Sequence, residues 1–198
     1  MKTSSIVLII LAALLLMGGC SAVSGYNNMN ALQKITDEKW AEVQSSYQRR
    51  SDLVPNLVAT VKGAANFEQK TLTDVIEARA KATQMNVNAS DLTPEKLRQF
   101  QQTQGQLSQS LGRLMVVSEQ YPQLRATQAF SDLQTQLEGT ENRIKVSRDA
   151  YNNAVQEFNT KISNFPQNLF ASMFHFKEKP WFKADEGAQN SPKVDFGK

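Results

Sequence analysis

The sequence predicts an all-α protein, a four-helix up-and-down antiparallel bundle. Three observations carry that expectation. Apolar residues recur at helical spacing along almost the whole chain after residue 20. Thr93-Pro94-Glu95 and Pro122 punctuate it where helices should start and stop. Phe130, Leu137, Ile144, Tyr151, Phe158 and Phe165 fall seven residues apart without a miss, a stripe that suits a bundle core better than a cofactor box.

The N-terminus is an address. Met1 to Ser5 is a short, weakly basic lead, followed by an unbroken apolar run of twelve from Ile6 to Met17 and then Gly18-Gly19-Cys20. A membrane-crossing helix wants about 20 apolar residues, so this run reads as a secretory signal. The sole cysteine, Cys20, stands where small residues end the apolar run, as in the lipobox of bacterial lipoproteins. Such signals lead to diacylglycerol on the thiol, cleavage just before it and acylation of the new amine. Met17 stands where Leu is usual, and the competing reading is an uncleaved anchor with an incidental Cys20. Two or three acyl chains hold a protein stably to a membrane. Residues 1–19 are thus expected as a lipoprotein-type signal peptide and 20–26 as a lipidated tether. A helical bundle domain with an aromatic C-terminal segment spans 27–183, and 184–198 form a disordered tail.

Met29, Leu32, Ile35, Trp40, Val43 and Tyr47 predict a first helix near 27–50. Arg49-Arg50-Ser51-Asp52 interrupts it, with Asp52 as N-cap and Pro55 in the first turn of a second helix. That helix carries Leu53, Leu57, Val58, Val61, Ala65, Leu72, Val75 and Ile76 and fades near Ala82. The alternative is one continuous helix kinked at Pro55, on the order of 85 Å long. Met85 to Leu92 reads as a polar loop. Thr93 as N-cap, Pro94 at the first helical position and Glu95 at the positive end of the dipole start the third helix. Leu97, Phe100, Leu107, Leu111, Leu114 and Val117 line it, and Gln99 to Gln109, with six Gln in eleven residues, reads as its solvated face. In the last helix a second stripe drifts from Leu133 to Val155 and Ile162.

Composition excludes much chemistry. With one Cys and one His among 198 residues, a nucleophilic triad would have to use His175. Neither a four-ligand zinc site nor paired Glu-x-x-His di-iron ligands can be assembled. A net charge of +3, with no Lys/Arg cluster longer than Arg49-Arg50, is no nucleic-acid footprint. We therefore expect no catalytic, cofactor or metal residues and no nucleic-acid partner. Glu68, Glu77, Arg79, Glu141, Arg148 and Asn152 lie on or beside apolar stripes. With Arg49, Arg50, Asp52 and Asn56 they are read as a structural polar network fixing helix register, rather than as carboxylates paired for acid–base work.

An even number of antiparallel helices returns the C-terminus to the lipidated end. There, Phe165 to Phe182 holds six of the sixteen aromatics, interleaved with Lys177, Lys179 and Lys183. Phe170, Phe174, Phe176, Trp181 and Phe182 are candidates to face the membrane. The competing reading is that this tail caps the open end of the core, with His175 as a packed ring.

Several blocks together resemble the LemA family of bacterial envelope proteins. They are Tyr26-Asn27, Arg49-Arg50-Ser51-Asp52-Leu53-Val54-Pro55-Asn56-Leu57-Val58, Glu119-Gln120-Tyr121-Pro122, Thr140-Glu141-Asn142-Arg143-Ile144, Tyr151-Asn152 and Phe158-Asn159. The resemblance implies a four-helix up-and-down bundle outside the cytoplasm with no established enzymatic activity or cofactor. Members commonly keep an N-terminal membrane helix, whereas this chain offers Gly18-Gly19-Cys20. The family's recurring residues have no assigned catalytic roles.

The expected function is that of a non-catalytic envelope lipoprotein, on the periplasmic or extracellular side of a membrane. It would be held to lipid through acylated Cys20 and serve an envelope protein partner as an interaction or scaffold module. The alternatives are an envelope enzyme using carboxylates such as Glu68 and Glu141, and a protein that binds lipid surfaces through the aromatic tail.

Overall fold

Helix dominates the structure, a computed structural model that describes residues 3–63 and 67–183. The elements are α1 (Thr3–Lys62), α2 (Gln69–Gln84), a 3₁₀ turn (Ala89–Asp91), α3 (Pro94–Ser118), α4 (Pro122–Arg125), α5 (Gln128–Ser163) and α6 (Gln167–Met173), with no strand among the described residues. Ala65 and residues 184–198, for which a helix core and a loose tail were expected, lie outside the described residues.

α1 lacks the expected break between two helices. It runs for 60 residues without a break at Arg49–Asp52, about 90 Å at 1.5 Å per residue. Asp52 is therefore not an N-cap; it sits in mid-helix, accepting from Gln48 Nε2 at 2.7 Å. Pro55 lies inside the helix, where it has no N–H to offer the carbonyl of Ser51, four residues back. Arg79 Nε on α2 donates to that carbonyl instead, at 2.9 Å. The chain turns only after Lys62, where Gly63 N–H bonds back to Thr60 O at 3.2 Å. Residues 20–26, expected as a tether, are likewise helical and continuous with α1.

Local signals set the other starts. The Thr93 hydroxyl accepts from Lys96 N–H and Pro94 opens α3, while the Thr127 hydroxyl accepts from Phe130 N–H at the head of α5.

Contacts fix the directions. Met29 shares a cluster with Phe158 and Ile162, Trp40 meets Tyr151 with ring centroids 5.5 Å apart, and Arg50 meets Glu141 at 2.8 Å. So α5 runs back along α1. So does α2 and the turn after it: Arg79 reaches Ser51, Asn86 reaches Gln44, and Val87 reaches Trp40.

Three apolar layers stack along α1. The layer at the end farthest from the N-terminus joins Leu57, Val61, Leu72, Leu107, Leu114 and Phe130. The middle layer is aromatic, with Trp40, Tyr47, Phe100, Tyr151 and Phe182. The third, nearest the apolar N-terminal stretch, contains Met29, Phe158, Ile162 and Ala171 with Phe170 and Phe176 against them. It is built without α2 or α3; α6 and the segment after it close this end. The sevenfold stripe holds through Phe158 and then fails: α5 ends at Ser163, and Phe165 is 79% exposed.

Candidate functional site

Two polar constellations stand out, and both tie helices to something beyond themselves. The first centres on Arg50. Its side chain is 2% exposed, yet a guanidinium stays charged at any accessible pH, so burial demands partners. Nη1 donates to Glu141 Oε1 at 2.8 Å. Nη2 donates to both the backbone oxygen and Oε1 of Gln104, at 2.9 and 2.8 Å. Gln104 Nε2 in turn reaches Ala82 O at 3.3 Å. The guanidinium also lies 5.1 Å from the Tyr47 ring centroid, a favourable cation–π distance. Only Nε lacks a hydrogen-bond partner among the described residues. This node locks α1, α2, α3 and α5 in one register. Gln104 is accordingly buried, not part of a solvated glutamine face.

The second constellation holds the segment after α6. Residues 179–183 lie extended along α5, and two asparagines seven apart grip them. Asn159 accepts from Lys179 N–H and donates to Lys179 O, both at 2.9 Å. Asn152 does the same to Phe182, at 2.9 and 3.1 Å. Each amide pairs with one residue's backbone as a neighbouring strand would. The Tyr151 hydroxyl donates to Pro180 O at 2.8 Å, and Lys179 Nζ reaches Asp37 Oδ1 and Ala89 O, both at 3.0 Å. Phe182 fills the space beside Trp40 and Tyr151, with Arg148 stacked 4.7 Å from its centroid. Burial pushes the hydroxyls of Tyr47 and Tyr151 above the ordinary tyrosine range; the nearby Arg148 and Arg50 charges oppose the shift at Tyr47, and the Asp37 carboxylate adds to it at Tyr151.

The expected network thus divides. Arg50 and Glu141 form one node, while Asn152 and Arg148 on α5 hold residues 179–183, a strap along that helix. Arg49 lines an open groove between α1 and α5 with Arg143, Thr140 and Ser147. Asp52 bonds only within α1, Asn56 is exposed, and Glu68 accepts from Thr71 Oγ1 at 2.7 Å at the start of α2. Glu141 pairs at the level of residue 50, whereas α2 begins beyond Lys62, roughly 18 Å farther along α1. The two carboxylates are not brought together.

The aromatic tail also divides. Phe182, read as a membrane candidate, is 6% exposed inside the middle layer. Phe170 and Phe176 are half-buried against the third layer, and Phe174 packs edge-on to Tyr26. Trp181 is 50% exposed. His175 is exposed rather than packed, and adopts φ 61° just past α6. Cys20 is exposed on α1. The sequence reading missed Gln104, Asn159, Asp37 and Lys179. Asn159 carried a usable signal, since it follows Asn152 by seven residues on one helix face.

The profile of the LemA family matches residues 39–196. The chain is 25% identical over 175 residues to Magnetosome protein MamQ 2 of Paramagnetospirillum magneticum, covering 80% of this chain and 64% of that protein. It is 26% identical over 144 residues to Protein LemA of Metamycoplasma hominis, covering 73% of this chain and 62% of that protein. The chain spans less than two thirds of the length of these curated relatives.

Proposed function

The chain belongs to the LemA family, and from that premise we propose that it is a non-catalytic, membrane-anchored envelope protein whose four long helices form an up-and-down bundle serving as an interaction or scaffold module. The observation that carries this reading is α1 itself. Near its N-terminus it is apolar and long enough, by length and composition, to cross a membrane, with Ile9, Leu15, Leu16 and Val23 all more than half exposed. The same helix continues unbroken into the core, contributing Met29, Trp40, Arg50 and Leu57. The helix that carries the attachment point Cys20 is thus the one that builds the core, so the body is held close to the bilayer, as a scaffold there requires.

The polar residues of the two constellations support the same reading, because their hydrogen bonds go to other helices and to the 179–183 segment. Glu68 and Glu141, the carboxylates of the alternative enzymatic reading, each bond to a partner of their own, Thr71 and Arg50. Anchoring is through lipid on Cys20, which follows Gly18-Gly19 at the end of the apolar run, with the body outside the cytoplasm.

Two measurements test this. Intact mass of the native protein should show residues 1–19 absent and acyl chains present; a mass that includes Met1 overturns lipid attachment. Photo-crosslinkers placed singly at Arg49, Arg143 and Val146 along the α1–α5 groove should give a discrete heteromeric adduct in membranes. No adduct from any of these positions would remove the basis for placing a protein partner in this groove.

A further inference from the structure

Besides the anchor, α6 bears on how the body meets the bilayer. It is the extremity of the body on the anchored side. The chain descends α5 to Ser163, forms α6 against α1, and climbs back along α5 through Phe176, Lys179 and Phe182. A Cβ on Gly25 would lie 3.7 Å from the Phe170 ring, and Tyr26 contacts Phe174 and Phe176 with centroids 5.0 and 5.7 Å apart. Thus α6 is braced at the upper end of the apolar stretch of α1.

The inward face of α6 is satisfied by Phe170 and the 4% exposed Ala171. The opposite face is also apolar. Leu169 and Met173, one turn apart on it, are 60% and 59% exposed, and Phe165, just ahead of the helix, is 79% exposed. Soluble helices put polar residues there. No charged residue occurs from Ser163 to Phe174, while Lys161 and Lys177 flank the stretch. Among the described residues of the body, Ile35, Ile76, Val116 and Val146 stand singly on α1, α2, α3 and α5, Trp181 lies in the segment after α6, and Tyr26 and Phe174 pack on each other beside α6.

We infer that this face of α6 is seated in the lipid interface, as a second point of contact beside the anchor. The height agrees for either anchor. About 20 residues cross the hydrocarbon, which counted from Ile6 ends at Gly25. If acylated Cys20 holds the protein instead, Gly25 stands about 7.5 Å above it, level with the headgroups, whose layer is roughly 5–8 Å thick on each side. Phe, Leu and Met suit the acyl boundary, and the two flanking lysines suit anionic headgroups.

The inference rests on membrane anchoring, and the test separates the two. The full chain, carrying a single added cysteine at Val23, Leu169 or Val146 and labelled with an environment-sensitive fluorophore, is reconstituted into phosphatidylethanolamine–phosphatidylglycerol vesicles. The vesicles contain lipids spin-labelled near the headgroup, and unsubstituted protein supplies the background. All three positions are exposed, so labelling does not disturb the core. We expect strong quenching at Val23 and Leu169 and none at Val146. Quenching at Val23 but not Leu169 overturns the seating of α6 while leaving the anchor intact. Quenching at neither overturns the anchor and the seating with it. Quenching at Val146 as well as Leu169 overturns an upright body. Blue-shifted emission at Leu169 that depends on protein concentration and not on lipid would assign the face to a second copy instead.

Discussion

Arg79 Nε donates to the carbonyl of Ser51 at 2.9 Å, supplying from α2 the hydrogen bond that Pro55 cannot make within α1. A proline inside a helix costs about 3 kcal/mol, part of it for the carbonyl left unpaired. Ser51 is buried, so water cannot serve as the substitute. Arg79→Ala should therefore lower stability by about 1.5–3 kcal/mol, the range for a hydrogen bond to a charged group. In a Pro55→Ala background the restored N–H takes the carbonyl, and the same Arg79→Ala change should cost less than about 1 kcal/mol. Urea unfolding of the four variants gives the coupling. Equal costs in both backgrounds would show that Arg79 acts by other contacts.

The Arg50 node predicts an order of damage. Gln104→Leu leaves Arg50 Nη2 short of an acceptor and Ala82 O short of a donor, both buried, and should cost about 2–3 kcal/mol. Glu141→Gln removes a carboxylate whose side chain is 45% exposed, where solvent screens the charge, and should cost no more than about 1 kcal/mol. Finding Glu141→Gln the worse of the two would contradict this assignment.

The sequence was legible wherever the determining residues are neighbours. Thr93-Pro94-Glu95 announces α3 because cap, proline and acid act within one turn. The stripe from Phe130 to Phe158 announces α5 because every member faces one core. What failed depended on distant partners. Pro55 reads as a helix start until Arg79 enters, and Gln104 reads as one polar glutamine among six until Arg50, 54 positions away, claims it. Phe182 sits in an extended segment without periodicity, so only Asn152, reaching it from α5, reveals that it turns inward.

For the strap, Asn152→Ala and Asn159→Ala each remove two hydrogen bonds to backbone and should each cost about 1–3 kcal/mol. Asn153→Ala, on the exposed side of the same helix turn, should stay within about 0.5 kcal/mol. Hydrogen exchange should locate the effect, with the Phe182 amide losing protection in the first variant and the Lys179 amide in the second. Unchanged protection in both would mean that ring packing alone holds the strap.

His175 closes α6 in a Schellman arrangement: Phe176 N–H bonds to Ala171 O at 2.9 Å and His175 N–H to Ser172 O at 3.3 Å. The residue between cap and return has φ 61°, where glycine is the usual occupant and β-branched residues are strained. His175→Gly should raise stability by about 0.5–1 kcal/mol, and His175→Val should lower it by about 1–2 kcal/mol. A thermal-melt ranking other than Gly above His above Val would count against this reading of the turn.

The two buried tyrosines predict an alkaline limit. Burial raises the folded-state pKa of Tyr47 and Tyr151 above the model-peptide value of 10.0. Below pH 10 both are protonated in either state, and folding is indifferent to pH on their account. Above it the unfolded chain releases protons that the folded chain retains, so the unfolded state binds fewer protons and stability falls as pH rises. At Tyr151 the proton is also the one donated to Pro180 O, so ionisation and loosening of the strap are coupled. Tyr151→Phe should lower stability at neutral pH by about 1 kcal/mol through the lost hydrogen bond. It should also flatten the decline above pH 10, because one of the two retained protons is gone. Denaturant midpoints measured from pH 8 to 11 decide the matter, since a slope unchanged by Tyr151→Phe would place the alkaline sensitivity elsewhere.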